Sequence, residues 1–384
     1  MRLPILAPAS LLCLFALVAG VGCAAPTEEG AAESSESNQT SSSWTTSSIG
    51  DRPNRDVVVN ERVGMAIDAR GQRHTAYLGR DGKTHYVDPS SNRDEVIETN
   101  GASHHELALD AAGQPIIGFS SRDGIALATK RNGAWAIEKV GVNGSLDALG
   151  TDATGALHVV SSAYQGGEST ATVSTRRSGA TTFEHAKVPG KLPREIGFDA
   201  FAFATDRAGA VYLLLSSFES IEEAPNRSRS GPLHAYFAKR PAGGSFAVES
   251  LPIAASGGSL AVDGNGTLHA VLSTKVQTTD YDNTLVYVRR GASEPAWSAP
   301  ENVHWDGYYT SLAVDAAGTM HLAITGSSSR YLKYAKRPAS GGWTDELITS
   351  ADASVPVLAL DARGVPVIAY RDGGGYQLAQ RNAP

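Results

Sequence analysis

Short apolar runs, each alternating with polar positions and closed by Gly, Ser, Asp or Pro, fill the chain from residue 62 onward. A period of two predicts half-buried β-strands, and no stretch after residue 24 keeps a helical period. The runs recur in a fixed order. Ser311-Leu-Ala-Val-Asp315 predicts a first strand, Ala316-Ala-Gly318 a turn and Met320-His-Leu-Ala-Ile-Thr325 a second strand. Tyr331-Leu-Lys-Tyr-Ala-Lys-Arg337 and Trp343-Thr-Asp-Glu-Leu-Ile348 predict a third and a fourth. The first join recurs seven times as Asp-x-x-Gly, at Asp68/Gly71, Asp110/Gly113, Asp152/Gly155, Asp206/Gly209, Asp263/Gly266, Asp315/Gly318 and Asp361/Gly364. One such unit is too small to bury its own apolar faces, so the copies must stack on one another.

The join has a chemical reason. An Asp side chain is expected to accept N–H bonds from the residues two and three ahead, and Gly to take the positive φ of the reversal. The seven Asp residues therefore read as turn-formers rather than metal ligands or catalysts. His74, His158, His269 and His321 share one position of the second strand, where Ile116, Tyr212 and Val367 stand in other copies. A position that accepts Ile and Val is a packing position.

The third strand ends in a basic pair or single Arg at Lys130-Arg131, Arg176-Arg177, Lys239-Arg240, Arg289-Arg290, Lys336-Arg337 and Arg381. The fourth opens on Trp135, Phe183, Phe246, Trp297 or Trp343, with Glu138, Glu249, Glu301 or Glu346 shortly after. Arg and Glu on neighbouring strands predict charge pairs within a copy. The last copy lacks a fourth strand after residues 376–382, and residues 51–60, with Val57-Val58-Val59, are expected to supply it and close a ring. The predicted class is all-β, a seven-bladed β-propeller of four-stranded antiparallel blades. Over residues 51–384 these repeats resemble those of bacterial extracytoplasmic propellers of the NHL-like and BNR-like kinds.

The N-terminus carries a different signal. Arg2, an apolar run over residues 11–21 and small residues before Cys23 make residues 1–22 an export signal, too short to span a bilayer comfortably. The segment resembles a bacterial lipoprotein signal, which implies lipidation of Cys23 and a lipid anchor in the cell envelope. Ala24 after the Cys points, by that resemblance, to the outer membrane. The alternative is an ordinary secretory signal cut nearby. Residues 23–50 are Ser, Thr, Glu, Gly and Ala and read as a disordered tether, with Trp44 a stray or loosely docked aromatic. Cys13 and Cys23 are the chain's two cysteines, so nothing later forms a disulfide or a thiolate site.

A net charge of −7 excludes the basic footprint of a nucleic-acid binder. The widest Asp-to-Asp spacings, 54, 57 and 52 residues, place insertions in copies three to five. They are expected as loops over residues 161–170, 216–232 and 273–283, on the face shared with the crossings between copies. Candidate binding residues there are Phe218, Glu219, Glu222, Glu223, Arg227, Arg229, Asp280, Tyr281 and Asp282, joined by Trp305, Tyr308 and Tyr309 from a crossing. Aromatic rings beside carboxylates suit sugar recognition; the plainer alternative is that the rings cap the blade tops. His104-His105-Glu106 at another crossing lacks the spacing of a helical zinc site. No nucleophile elbow, phosphate loop or Cys nucleophile is present, so no cofactor is expected. The reading is a monomeric, non-enzymatic binding module for a protein or glycan. Alternatives are a glycan hydrolase or lyase at the channel mouth, and a structural spacer without ligand. Converging carboxylates with a displaced pKa would favour the enzyme, and a shallow aromatic surface the binder.

Overall fold

The computed structural model describes residues 43–51, 61–99, 101–165, 168–190, 199–224, 227–275, 283–304, 307–326 and 331–382; side chains at 51, 199–200, 218–232, 275 and 283 lie outside the description. Every sheet is four-stranded and antiparallel, and there are seven. Blade 1 spans residues 64–97, blade 2 residues 103–139, blade 3 residues 145–187 and blade 4 residues 199–250. Blades 5, 6 and 7 begin at residues 257, 309 and 354. The first strands of neighbouring blades touch in series, and Gly64–Ile67 of blade 1 also meets Ser354–Leu360 of blade 7, which closes the ring.

Each of the seven apolar clusters lies between two blades rather than within one. Tyr86, Ile97 and Ala76 of blade 1, for example, pack on Ile117, Phe119 and Ala128 of blade 2. This is why the repeat needs neighbours: a lone blade would leave both faces of its sheet in water.

The turns follow one rule. In every copy the Asp Oδ1 accepts N–H bonds from the residues two and four ahead, as Asp315 does from Ala317 (2.9 Å) and Thr319 (2.8 Å). The residue three ahead, the Gly, instead donates to the Asp main-chain carbonyl. That corrects the expected two-and-three pattern: at a φ of 76–81° the Gly N–H turns away from the carboxylate. The other Asp oxygen faces the second strand. In blade 6 the Nε2–H of His321 donates to Asp315 (3.3 Å), while Nδ1 accepts from the Tyr334 hydroxyl (2.6 Å). Asp152–His158–Thr175 and Asp263–His269–Tyr287 repeat the chain, and in blade 4 Tyr212 donates directly to Asp206 (2.8 Å). These Asp–His–hydroxyl chains have the connectivity of a hydrolase triad, but they are buried and repeated through the ring as internal ties.

The charge pairs also differ from expectation. Glu138, Glu249, Glu301 and Glu346 stand opposite Leu127, Phe237, Tyr287 and Tyr334 in their own sheets, so their carboxylates meet no cation there. Each pairs instead with the next blade: Glu138 with Arg176, Glu249 with Arg290, Glu301 with Arg337 (3.1 Å) and Glu346 with Arg381 (2.6 Å). Lys130 of blade 2 reaches Glu95 of blade 1 in the same way (2.7 Å). Arg177–Glu184 is a pair within a blade. Propeller sheets stack face to face, and a side chain leaving the sheet plane meets the neighbouring blade.

The ring closes with an N-terminal strand, drawn from further upstream than expected. Trp44–Asp51 pairs antiparallel with Gly375–Arg381, Trp44 opposite Arg381 and Asp51 opposite Gly375. Residues 57–59 lie outside the described residues, and the ring begins inside the stretch read as tether. Trp44 is buried, 4% exposed. Its indole N–H donates to Glu346 (3.1 Å) and its ring meets Tyr334 edge-on. Trp135 and Trp297 make the same bond to Glu95 and Glu249, so Trp44 is the outer-strand aromatic of the seventh copy.

Candidate functional site at the channel mouth

The insertions of copies three and four are paired strands, not loops. Leu157–Gln165 and Glu168–Arg176 run on as a ladder in blade 3, and Val211–Ala224 and Arg227–Arg240 in blade 4. Pairing satisfies backbone groups that a loop would leave to water. Phe218, Glu219, Glu222, Glu223, Arg227 and Arg229 therefore lie on a projecting hairpin, placed by backbone alone. Asp280, Tyr281, Asp282 and Trp305 lie outside the described residues. Tyr308 and Tyr309 are the candidates with described side chains, and they face the channel rather than the blade 3–5 wall.

There they join residues from all seven blades. The first strands begin at the same face, and their starts surround a cavity of about 240 Å³. Arg62 enters just before blade 1, His104 and Glu106 from blade 2 and Asp147 from blade 3. Phe201, Gly257, Tyr308, Tyr309 and Val355 complete the wall from blades 4 to 7. The polar mouth comes from the starts of the first strands and the residues just before them, Arg62 and Tyr308.

The blade 2 side is tightly held. A Cβ at Gly64 would stand 2.9 Å from Leu107 and 3.0 Å from the Glu106 carbonyl carbon, so the two first strands are in close backbone contact. His104 has a left-handed backbone (φ 55°), as does Val355 (φ 45°) across the mouth, and both sit at bulges. A non-Gly residue in this region carries strain that the surroundings must hold. Glu61 does so for His104. Its carboxylate, fully buried, accepts the N–H groups of His104 (3.1 Å) and His105 (3.2 Å) and a short bond from the His105 Nδ1. The other ring nitrogen of His105 bonds the Thr84 hydroxyl (2.8 Å). Burial alone would raise the Glu61 pKa, but these donors hold it below the ordinary value.

Glu106 behaves in the opposite way. Burial pushes its carboxyl up to about 7, Glu61 adds to the rise, and Arg62 opposes it. The Arg62 Nη1 stands 3.7 Å from the Glu106 Oε1, an ion-pair distance. Burial likewise raises the Tyr309 hydroxyl, and Tyr308 packs edge-on against it at 4.6 Å. Among the described residues, the mouth thus offers the Arg62 guanidinium, a Glu106 carboxyl able to hold a proton at neutral pH, the Asp147 carboxyl, an imidazole and aromatic rings, with Arg371 acting on Tyr309.

Sequence reasoning missed Glu61, Arg62 and Asp147 and set His104-His105-Glu106 aside. The available signal was a polar interruption at the start of otherwise apolar first strands. His304, expected on a crossing, ends the fourth strand of blade 5, Glu301–His304, and turns to Lys333 and Tyr331 of blade 6 instead.

No family model matches the chain, and no curated protein matches it in sequence. Solved structures match the fold. A virginiamycin B lyase from Staphylococcus aureus superposes with a TM-score of 0.59 at 10% identity, over 89% of this chain and 100% of its own. A PL25 ulvan lyase bound to -[GlcA(1-4)Rha3S]- gives 0.63 at 11%, over 86% and 94%. YCF48 bound to a D1 peptide gives 0.55 at 9%, over 89% and 96%. What they share with this chain is the propeller.

Proposed function

We propose that the channel mouth binds an acidic saccharide, and that the propeller is exported and held to the cell envelope by a lipid on Cys23. The observation that carries the binding reading is the convergence of Arg62, Glu106, Tyr308 and Tyr309 on one concavity of about 240 Å³. Arg62 suits a uronate carboxylate, the rings suit the C–H faces of a sugar, and a protonated Glu106 suits a hydroxyl or carboxylate acceptor. Propellers of this shape work on such ligands: the ulvan lyase holds a glucuronate-containing chain. A polar mouth lined by every blade does not suit a spacer without ligand.

The test is a panel of purified oligosaccharides titrated into the protein. Uronate-containing chains are expected to bind and neutral chains of equal length to bind at least tenfold more weakly. Arg62→Ala is expected to weaken uronate binding roughly tenfold or more, the scale of a lost charged hydrogen bond. Equal binding of neutral chains, or an inert Arg62→Ala, would refute the reading. A second reading, a lyase or hydrolase at the same mouth, is favoured by one observation: Glu106 can carry a proton at neutral pH, as a general acid must. Shortening of the bound chain during the same titrations distinguishes enzyme from binder.

A further inference from the structure

We propose that Glu106 takes up one proton when a carboxylate ligand enters the channel mouth, so that the mouth selects acidic ligands and releases them as the pH rises. The inference rests on the saccharide-binding reading and specifies how that site is controlled.

The geometry is the first ground. Glu106 and Arg62 share the mouth at 3.7 Å, and the Glu106 backbone lies in close contact with Gly64 of blade 1. The charged and titratable groups around Glu106 are Glu61 and Arg62 from the segment before blade 1, and His104 and His105 on its own strand. Asp147 of blade 3, Tyr309 of blade 6 and Tyr308 just before it line the same cavity, and Arg371 of blade 7 acts on the Tyr309 hydroxyl. The Glu61 carboxylate is already committed to His104 and His105. Among the residues lining the cavity, Arg62 is the guanidinium that an incoming carboxylate meets. A ligand carboxylate and an ionised Glu106 would compete for it as like charges in a partly dehydrated cavity. A proton on Glu106 removes the conflict: the neutral carboxyl donates its O–H to the ligand, and Arg62 keeps the ion pair.

The second ground is the ionisation of Glu106, raised by burial to about 7 before any ligand arrives. The sign follows. Below that pH Glu106 is neutral and the mouth accepts an anion; above it the carboxylate must first be protonated. Affinity should therefore fall about tenfold for each pH unit well above 7, with one proton taken up per ligand.

The experiment is calorimetric titration of an oligoglucuronate into the full chain from pH 5.5 to 8.5, in buffers of differing ionisation enthalpy. The wild type is expected to lose about tenfold in affinity between pH 7.5 and 8.5 and to take up about one proton at pH 8. Glu106→Gln is expected to show no such slope and no uptake. A carbon-13 titration of the Glu106 carboxyl, free and bound, is a second measure that does not depend on the variant folding. It is expected to move upward with ligand. Equal slopes in wild type and variant, or a carboxyl that the ligand leaves unmoved, would overturn the proton coupling and leave the saccharide site standing. No oligoglucuronate binding at any pH would overturn both.

Discussion

At the scale of single residues, the ring is held by ionisable groups that burial has moved in opposite directions. His74, His158, His269 and His321 are each lowered by burial, with the turn Asp opposing the shift. The unfolded chain takes up these protons near pH 6.5, the folded chain only at lower pH. Their contribution is therefore complete above about pH 6.5 and lost as the pH falls from there through the lower folded values. Glu106 has the other sign: its raised pKa contributes stability present below about 4.5 and lost as the pH rises through about 7. The two windows overlap, and four imidazoles outweigh one carboxyl, so urea midpoints are expected to rise with pH up to about 6.5 and to level off above about 7. His158→Asn should flatten the acid limb and leave the plateau above about pH 7 level. An acid limb identical to wild type would show that the buried imidazoles do not set it. The role of the seven Asp residues as turn-formers was legible in the chain because repetition itself argued for it. The role of Glu61 was not: its partners are 43 and 44 residues away.

At the scale of elements, the closing strand shows where reading from pattern goes astray. Trp44-Thr-Thr-Ser-Ser has the composition of a linker, and Val57-Val58-Val59 that of a strand. An outer strand, however, has one face in solvent and needs few apolar residues, so Ser and Thr serve it well. What marks Trp44–Asp51 as the fourth strand of blade 7 is the indole on Glu346 and Gly50, where a Cβ would fall 2.4 Å from the Tyr77 ring of blade 1. Trp44→Ala is expected to destabilise by about 3–5 kcal/mol, the range for a buried aromatic removed from a core. Chemical unfolding monitored by circular dichroism measures it. A change below about 1 kcal/mol, as for a surface substitution, would mean that this strand does not seal the ring.

At the scale of the whole molecule, fixed Arg–Glu and aromatic contacts pass from blade to blade, from Lys130–Glu95 through Arg381–Glu346. Arg381 also lies over both Trp44 of its own blade and Tyr334 of blade 6. The ring thus offers a rigid frame for a site to which every blade contributes one strand end. The proposed anchor belongs to this scale too. Palmitate fed to cells expressing the full chain is expected to label the protein through Cys23, and Cys23→Ser to abolish labelling and release the protein from the membrane fraction. Labelling that survives Cys23→Ser, or a wild type that takes none, would reject the lipid anchor.

The chain by itself determined the repeat, the strand order and the number of blades, because those are set by local alternation and turn chemistry that recur at every copy. Tertiary structure alone decided which strand seals the ring, which blade each glutamate answers to, and which residues meet at the mouth. Those depend on side chains leaving their own sheet to meet residues far away in sequence, and a period of two says which face a residue takes but not what stands across from it.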